Sequence, residues 1–140
     1  MTILLDTNVL SEVTKPLPNA GVLKWLAGLD EDRIFISVIS LAEIRRGIAL
    51  MDPGRKREAL ADWLARDLTE RFNQRILHVD EQVALAWGDL MGLAKRRGRS
   101  LSTLDALIAA TGIAHGMTIA TRNIKDFDSL GFELFNPWTT

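Results

Sequence analysis

Several polar side chains lie where a short apolar run gives way to a helical pattern, and their oxygens are candidates for metal or acid–base chemistry. Asp6 ends the first apolar run, and Glu43 lies early in the helical segment that follows the second run. Asp105 lies in the first turn of a later helix, and Asn123 and Asp126 open the short helix after the fourth run. If the runs form a parallel sheet, at least three of these sites meet at its carboxyl edge.

Helix capping is the alternative explanation for each acidic position taken singly. Helix N-termini favour acids because their backbone N–H groups are unpaired and the helix dipole is positive there. Ser40-x-x-Glu43 and Ser102-x-x-Asp105 both match the capping-box pattern. Asp6 fits an N-cap, and so does Asn123 with Asp126 three residues on. Capping alone therefore explains any one of these positions.

Taken together, the acids favour a metal site. Two charges roughly 4 Å apart repel by about 4 kcal/mol at an effective dielectric of about 20, so a cluster needs a cation or protons to offset the repulsion. The chain has no cysteine and only two histidines, which excludes Cys-based and multi-His metal sites. Oxygen donors suit Mg²⁺ or Mn²⁺, and the chemistry indicated is metal-assisted phosphodiester hydrolysis.

Other chemistries lack their motifs in this sequence. The phosphate loop GxxxxGK[ST], a GxGxxG after the first strand and the nucleophile elbow GxSxG are absent. His78 ends an apolar run and His115 ends a helix, so both are predicted to be structural rather than a cooperating acid–base pair.

Strands and helices alternate along the chain, and this order predicts how the acids are positioned. Short apolar runs predict strands at residues 3–5, 33–37, 75–79, 117–121 and 132–135. Helical patterns cover residues 7–13, 19–29, 40–51, 55–72, 80–97, 102–115 and 123–130. Continuous apolar strands are typical of a parallel sheet buried on both faces. The sequence predicts one domain over residues 1–140, folded as a three-layer α/β/α sandwich around a central parallel sheet.

Composition is that of an ordinary globular protein, with 47% hydrophobic and 25% charged residues and a net charge of −1. No apolar stretch reaches the roughly 18 residues of a membrane span, and the N-terminus has no basic signal-like region. A cytoplasmic protein is the expectation. Basic residues concentrate in two segments, 45–75 and 95–99, and arginine pairs well with phosphate through its planar fork.

Five segments, in order along nearly the whole chain, resemble the PIN domain and within it the VapC- and FitB-like toxins of bacterial toxin–antitoxin pairs. The segments are LLDTNVLSE (4–12), SVISLAEIRRGI (37–48), DALIAATGIAHG (105–116), TIATRNIKDF (118–127) and FNPW (135–138). The resemblance implies a parallel sheet flanked by helices, an acidic pocket that binds Mg²⁺ or Mn²⁺, and endoribonuclease activity.

The resemblance also implies roles for single residues. Asp6, Glu43 and Asp105 match the three acidic positions of the family, as catalytic residues and metal ligands. The fourth position is Asn123, where many members carry Asp; its carbonyl oxygen can still ligate a metal. Asp126 could then act on the metal through water, and the departure at Asn123 leaves the number of metals open.

Four further residues are expected to bind or position substrate. Thr7 and Thr121 would orient carboxylates or substrate through hydroxyl hydrogen bonds. Arg45 and Arg46 follow Glu43 closely and would contact RNA phosphate or an acid on the antitoxin. The two basic segments become candidate RNA-binding surface.

Partners and rival functions follow from the same resemblance. Expected partners are a small cognate antitoxin, an RNA substrate, operator DNA reached through the antitoxin, and a second copy of the chain or a hetero-oligomer, with no membrane. The alternative function is a FitB-like partner in a DNA-binding complex that controls transcription with little nuclease activity. A phosphorylated receiver domain is disfavoured, because Asp6-Thr7 lacks the acidic pair and no lysine follows residue 125.

Overall fold

Five strands, all running in the same direction, form the centre of the protein in a computed structural model that describes residues 1–139. The strands are β1 (Ile3–Leu5), β2 (Ile34–Ser37), β3 (Ile76–Leu77), β4 (Thr118–Ala120) and β5 (Leu134–Phe135). They lie in the order β3-β2-β1-β4-β5, and every neighbouring pair is parallel. The predicted parallel sheet is confirmed; β1 has the predicted bounds and the other four strands are shorter than their apolar runs.

Helices connect successive strands. They are α1 (Thr7–Glu12), α2 (Ala20–Ala27), α3 (Val38–Ala49), α4 (Arg55–Asp62), α5 (Thr69–Arg71), α6 (Glu81–Arg96), α7 (Thr103–Ala114) and α8 (Ile124–Phe127). Short 3-10 turns cover Glu31–Arg33 and Pro137–Thr139. Each parallel pair needs such a crossover, because its second strand must start again from the same end of the sheet.

Both faces of the sheet are buried, as the continuous apolar strands predict. Ile3 and Leu5 pack into one apolar cluster with α1, α2 and the segment after α4, whereas Leu4 packs into a second cluster with α6, α7 and α8. This alternation arises because successive side chains of a strand point to opposite faces. The sheet with a helical layer on each side confirms the predicted three-layer α/β/α sandwich.

The helix predicted over residues 55–72 is not continuous. A π-helical segment, Trp63–Leu68, separates α4 from α5. The inward-facing residues Leu60, Leu64, Leu68 and Phe72 recur every four positions. In an α-helix that spacing drifts by roughly 40° per step, so a wider turn keeps these side chains directed at the core.

The C-terminal segment packs back onto the first cluster through Trp138. The Arg122 guanidinium lies 5.3 Å from the centre of the Trp138 ring, a cation–π contact that ties this segment to the end of β4. The predicted domain, 1–140, includes residue 140, which lies outside the described residues. No helix within residues 1–139 is long and apolar enough to cross a membrane.

Candidate acidic site at the carboxyl edge of the sheet

The order of the strands creates a crevice between β1 and β4. From β1 the chain builds β2 and β3 on one side and then returns to place β4 on the other. In open parallel sheets, ligands bind outside the carboxyl ends of the strands where the strand order reverses in this way. Asp6 directly follows β1 and Thr121 directly follows β4, so these two residues flank the crevice.

Asp6 is the most enclosed carboxylate at this edge, with 3% of its surface exposed. Its backbone N–H donates to the Ala120 carbonyl at 2.9 Å, which fixes it beside β4. Its Oδ1 accepts the Thr7 N–H at 2.7 Å and its Oδ2 accepts the Thr121 hydroxyl at 2.7 Å. Asp6 therefore caps α1 and also faces the crevice, so capping and membership of an acidic site are compatible here.

Burial, with a smaller contribution from the charges of Asp105 and Glu43, raises the pKa of Asp6 to about 6, although hydrogen bonds from Thr121 and Thr7 oppose the change. Because the charges of Asp105 and Glu43 act on the Asp6 carboxyl, these three predicted site residues interact electrostatically. Without a cation, the Asp6 carboxyl is therefore partly protonated close to neutral pH.

This raised pKa predicts a pH-dependent stability. A carboxyl whose pKa is higher in the folded than in the unfolded protein stabilises the fold while protonated, fully below about pH 4, and that stabilisation is lost as pH rises through about 6. Without divalent cations, the wild type should therefore lose on the order of 3 kcal/mol of unfolding free energy between pH 4 and pH 7 through this carboxyl. Asp6→Asn lacks the carboxyl and should not show this loss, so its stability relative to the wild type should rise by the same amount. Urea denaturation at both pH values measures this; a difference between the two proteins that does not change with pH contradicts it.

Glu43 is held by a hydroxyl relay that joins α3 to α1. The Thr7 hydroxyl donates to Glu43 Oε1 at 2.6 Å, and the Ser40 hydroxyl lies 2.9 Å from the same Thr7 oxygen. Because Thr7 has a single hydroxyl hydrogen and gives it to Glu43, Ser40 is the donor to Thr7. Ser40 is fully buried, and sequence reasoning missed this role. Its three-residue spacing from Glu43 on one helix face was the available signal.

The proposed capping box at Ser40-x-x-Glu43 is wrong. The N-cap of α3 is Ser37, whose hydroxyl accepts the Ile39 N–H at 3.0 Å, so Ser40 lies inside the first turn. The helix starts earlier than predicted because Ser37 ends β2 and can cap at once. The cap at Ser102 is confirmed, since its hydroxyl accepts the Asp105 N–H at 3.1 Å.

Thr121 connects the two sides of the crevice. Besides donating to Asp6, its hydroxyl accepts the Asn123 N–H at 3.0 Å and lies 3.4 Å from Asn8 Nδ2. Asn8 Oδ1 in turn lies 3.4 Å from the backbone nitrogen of Arg122. Asn8 is a second residue that the sequence reasoning did not single out.

Asn123 and Asp126 lie at the start of α8, both with exposed side chains. The Asn123 side chain makes no capping hydrogen bond. The charges of Asp105 and Glu43 contribute to the raised pKa of Asp6. The predicted role of Asp126 through water stays a prediction.

The arginines divide into two groups. Arg45 and Arg46 are exposed on α3, and neither forms an ion pair with a residue that the structure describes. Arg75, by contrast, donates to the carbonyls of Glu31 at 2.5 Å and Ile34 at 2.6 Å. Arg99 similarly donates to the Asp128 carbonyl at 2.5 Å, so parts of the two basic segments hold loops together.

The donor chemistry of the acidic site fits a hard divalent cation. Asp6, Glu43 and Asp105 supply only oxygen, and the Asp105 carboxylate accepts no hydrogen bond from residues 1–139, so its oxygens are available. Within the same residues, no three Asp, Glu or His side chains already converge into a ready-made metal cluster. A cation would offset both the burial of the Asp6 charge and its repulsion by Asp105 and Glu43.

The protein is a parallel α/β/α sandwich whose carboxylates lie at the carboxyl edge of the sheet, where the strand order reverses. Within that class, the chain belongs to the PIN domain family, whose family model matches residues 3–133. Toxin FitB of Neisseria gonorrhoeae is 40% identical over 136 residues, covering 97% of this chain and 98% of that protein. VapC ribonuclease Y4jK of Sinorhizobium fredii is 36% identical over 136 residues, covering 97% of each.

A solved structure of FitAB bound to an IR36 DNA fragment contains a chain with the same architecture. It superimposes with a TM-score of 0.92 at 39% identity, covering 98% of this chain and 96% of that one. The predicted family is thus confirmed by two independent comparisons, one of sequence and one of structure.

Proposed function

We propose that the protein is a Mg²⁺- or Mn²⁺-dependent endoribonuclease and the toxin component of a VapBC-type toxin–antitoxin pair. The observation that carries the proposal is the buried Asp6 at the strand-order reversal, with Glu43 and Asp105 as its electrostatic neighbours. The similarity to a protein named VapC ribonuclease and to one named toxin FitB supports the same reading.

Asp6, Glu43 and Asp105 would hold the cation, with Asn123 and Asp126 completing its surroundings. When bound, such an ion polarises a phosphoryl oxygen and makes water a stronger nucleophile at neutral pH. The surrounding residues fix the ligands in place: Thr121 and the Thr7 N–H hold the two oxygens of Asp6. Ligands held in this way lose little freedom when the cation binds.

Arg45 and Arg46 would contact RNA phosphate, because both are exposed and belong to the helix that carries Glu43. Attack by water leaves a 5′-phosphate and a 3′-hydroxyl, so the ribose 2′-hydroxyl is not needed as the nucleophile. Preference for RNA must then come from binding rather than from the reaction itself.

Removal of the divalent cation is the direct test. The purified chain is incubated with total cellular RNA and either Mg²⁺, Mn²⁺ or excess EDTA, and the new RNA ends are mapped. Discrete cuts with 3′-hydroxyl ends are expected with metal, and none with EDTA. Products with 2′,3′-cyclic phosphate ends, or cuts that persist in EDTA, contradict the mechanism. Readdition of Mg²⁺ to the EDTA sample is the control and should restore the cuts.

Partners of the chain follow from the relatives. A small antitoxin would cover the site, operator DNA would be reached through the antitoxin, and the toxin would pair with itself or assemble into a hetero-oligomer in the cytoplasm. An acid on the antitoxin could use Arg45 or Arg46 in place of RNA phosphate.

One residue and one comparison favour a second function. In it the protein is a FitB-like partner in a complex that controls transcription and has little nuclease activity. Asn123 brings no charge to the fourth acidic position, and FitAB has been solved on DNA. Gel-shift of operator DNA by the toxin–antitoxin pair, with no RNA cleavage under either metal, would select this function. DNA binding by the isolated chain would argue against it.

A further inference from the structure

A groove beside the acidic site is not used by the proposed cleavage chemistry. It lies between α1, α3 and α4, and it shares Thr7 and Glu43 with the site. Its cavity volume is about 180 Å³. An engineered protein cavity of roughly 150 Å³ binds benzene, so this groove admits a flat aromatic ring. We call it the α1–α3–α4 groove.

The two walls of the α1–α3–α4 groove differ in chemistry. One wall carries the hydroxyls of Thr7, Ser11 and Thr14, which lie on one side of α1 and its end. Thr7 and Thr14 already donate, to Glu43 and to the Ser11 carbonyl. The Ser11 hydroxyl makes no hydrogen bond within the described part of the chain, so it can donate to or accept from a ligand.

The opposite wall is apolar. It is formed by Ile44, Met51, Leu60 and the half-buried ring of Trp63, among others. A ligand with a flat apolar face and a polar edge matches this pair of walls. A nucleobase has both, since every base presents a π-face and a hydrogen-bonding edge.

Resting on the proposed function, we propose that the α1–α3–α4 groove binds a nucleobase of the RNA substrate, on the nucleotide next to the cleaved phosphodiester. A strand that places its phosphate at Glu43 has a neighbouring nucleotide within reach of the groove, because Glu43 also lines the groove. Arg45 and Arg46 are exposed on the same helix and supply the positive charge that a phosphate backbone requires. The groove therefore determines sequence preference around the cut.

Gly47 offers a way to fill the groove while every carboxylate of the site is kept. It lines the groove on α3, and a Cβ built on it meets nothing within 4 Å. Gly47→Leu therefore places a side chain in the space assigned to the base, and leucine also favours the helix. Gly92→Leu on α6 is the matched control, because this glycine is equally exposed and has equally open space at its Cβ.

The experiment measures RNA binding and cleavage separately. Binding of a random single-stranded RNA is followed by fluorescence anisotropy in Ca²⁺, and cut-site preference is mapped on a randomised RNA pool in Mg²⁺. We expect Gly47→Leu to weaken binding about tenfold and to lose base preference at one position beside the cut, whereas Gly92→Leu matches the wild type. Ser11→Ala, which keeps the volume, should change which base is preferred.

Several outcomes would overturn the inference. Equal RNA binding and unchanged preference in Gly47→Leu exclude a base in the groove, and so does failure of the wild type to bind RNA at all. Loss of antitoxin binding alone, with RNA binding and preference unchanged, assigns the groove to the protein partner instead. If the wild type binds RNA without cutting it, and Gly47→Leu binds that RNA more weakly, the proposed nuclease function is wrong. Binding of a nucleobase in the groove is then still supported.

Discussion

Asp6→Asn is expected to reduce RNA cleavage by at least about a thousandfold while the protein stays folded. Loss of this carboxylate removes a charge worth several kcal/mol to a bound cation and to the transition state, and about 4 kcal/mol corresponds to a thousandfold in rate. Asparagine keeps an oxygen that can accept the Thr7 N–H, so the start of α1 is preserved. Single-turnover cleavage of a mapped RNA site, with circular dichroism as the folding check, measures the effect.

Asp128→Asn is the matched control for Asp6→Asn. Asp128 is an exposed carboxylate just after α8, and the change removes the same charge outside the crevice. Its rate should stay within about twofold of the wild type, as expected for a surface substitution away from the site. If Asp6→Asn keeps more than about a tenth of the wild-type rate, Asp6 is not a ligand on which cleavage depends.

Gly112→Val is expected to lower the free energy of unfolding by about 3 kcal/mol, the upper end of the usual overpacking cost. Gly112 is buried on α7, and a Cβ at this position would lie 2.7 Å from Ile119 Cγ1 and 3.5 Å from Leu4 Cδ2. Both neighbours are side chains of strands, so either the Ile119 side chain must repack or α7 must move away from the sheet. Urea denaturation of the cation-free protein measures the loss.

Activity should fall together with this stability, because α7 carries Asp105 and the sheet carries Asp6. A shift of one relative to the other alters their separation at the crevice, and small displacements of catalytic groups are costly. Gly88→Val on α6 is the matched control, since a Cβ there meets nothing within 4 Å. Equal stability of the two variants would show that the close approach of α7 to β4 is not required.

The hydrogen bonds that position the site residues also join elements of the fold. The hydrogen bonds that hold Asp6 also close the end of β1 against β4, and the relay from Ser40 through Thr7 joins α3 to α1. These contacts hold Asp6 and Glu43 in place in spite of the repulsion between their charges. A cation that binds there is therefore expected to stabilise the folded protein by mass action.

Much of the architecture could be predicted from local patterns. The run at Ile3–Leu5, Asp6 and the helix that follows could be predicted from neighbouring residues alone. The apolar residues favour a buried strand, and the aspartate caps the next helix. The cap at Ser102 is equally local. Helix starts that depend on an adjacent strand end, such as Ser37, were misplaced because two serines three residues apart compete for the cap.

The sequence by itself determined the order of most strands and helices, their parallel arrangement, the oxygen-only donor set and the family. Only the tertiary structure decided which hydroxyl donates a hydrogen bond to which carboxylate. Thr7 and Glu43 are 36 positions apart in the sequence, and Asp6 and Thr121 are 115 apart. Packing likewise decided that Arg75 and Arg99 hold loops, and that burial raises the Asp6 pKa. Local preferences act over a few residues, whereas hydrogen bonding and desolvation depend on neighbours that only the completed fold brings together.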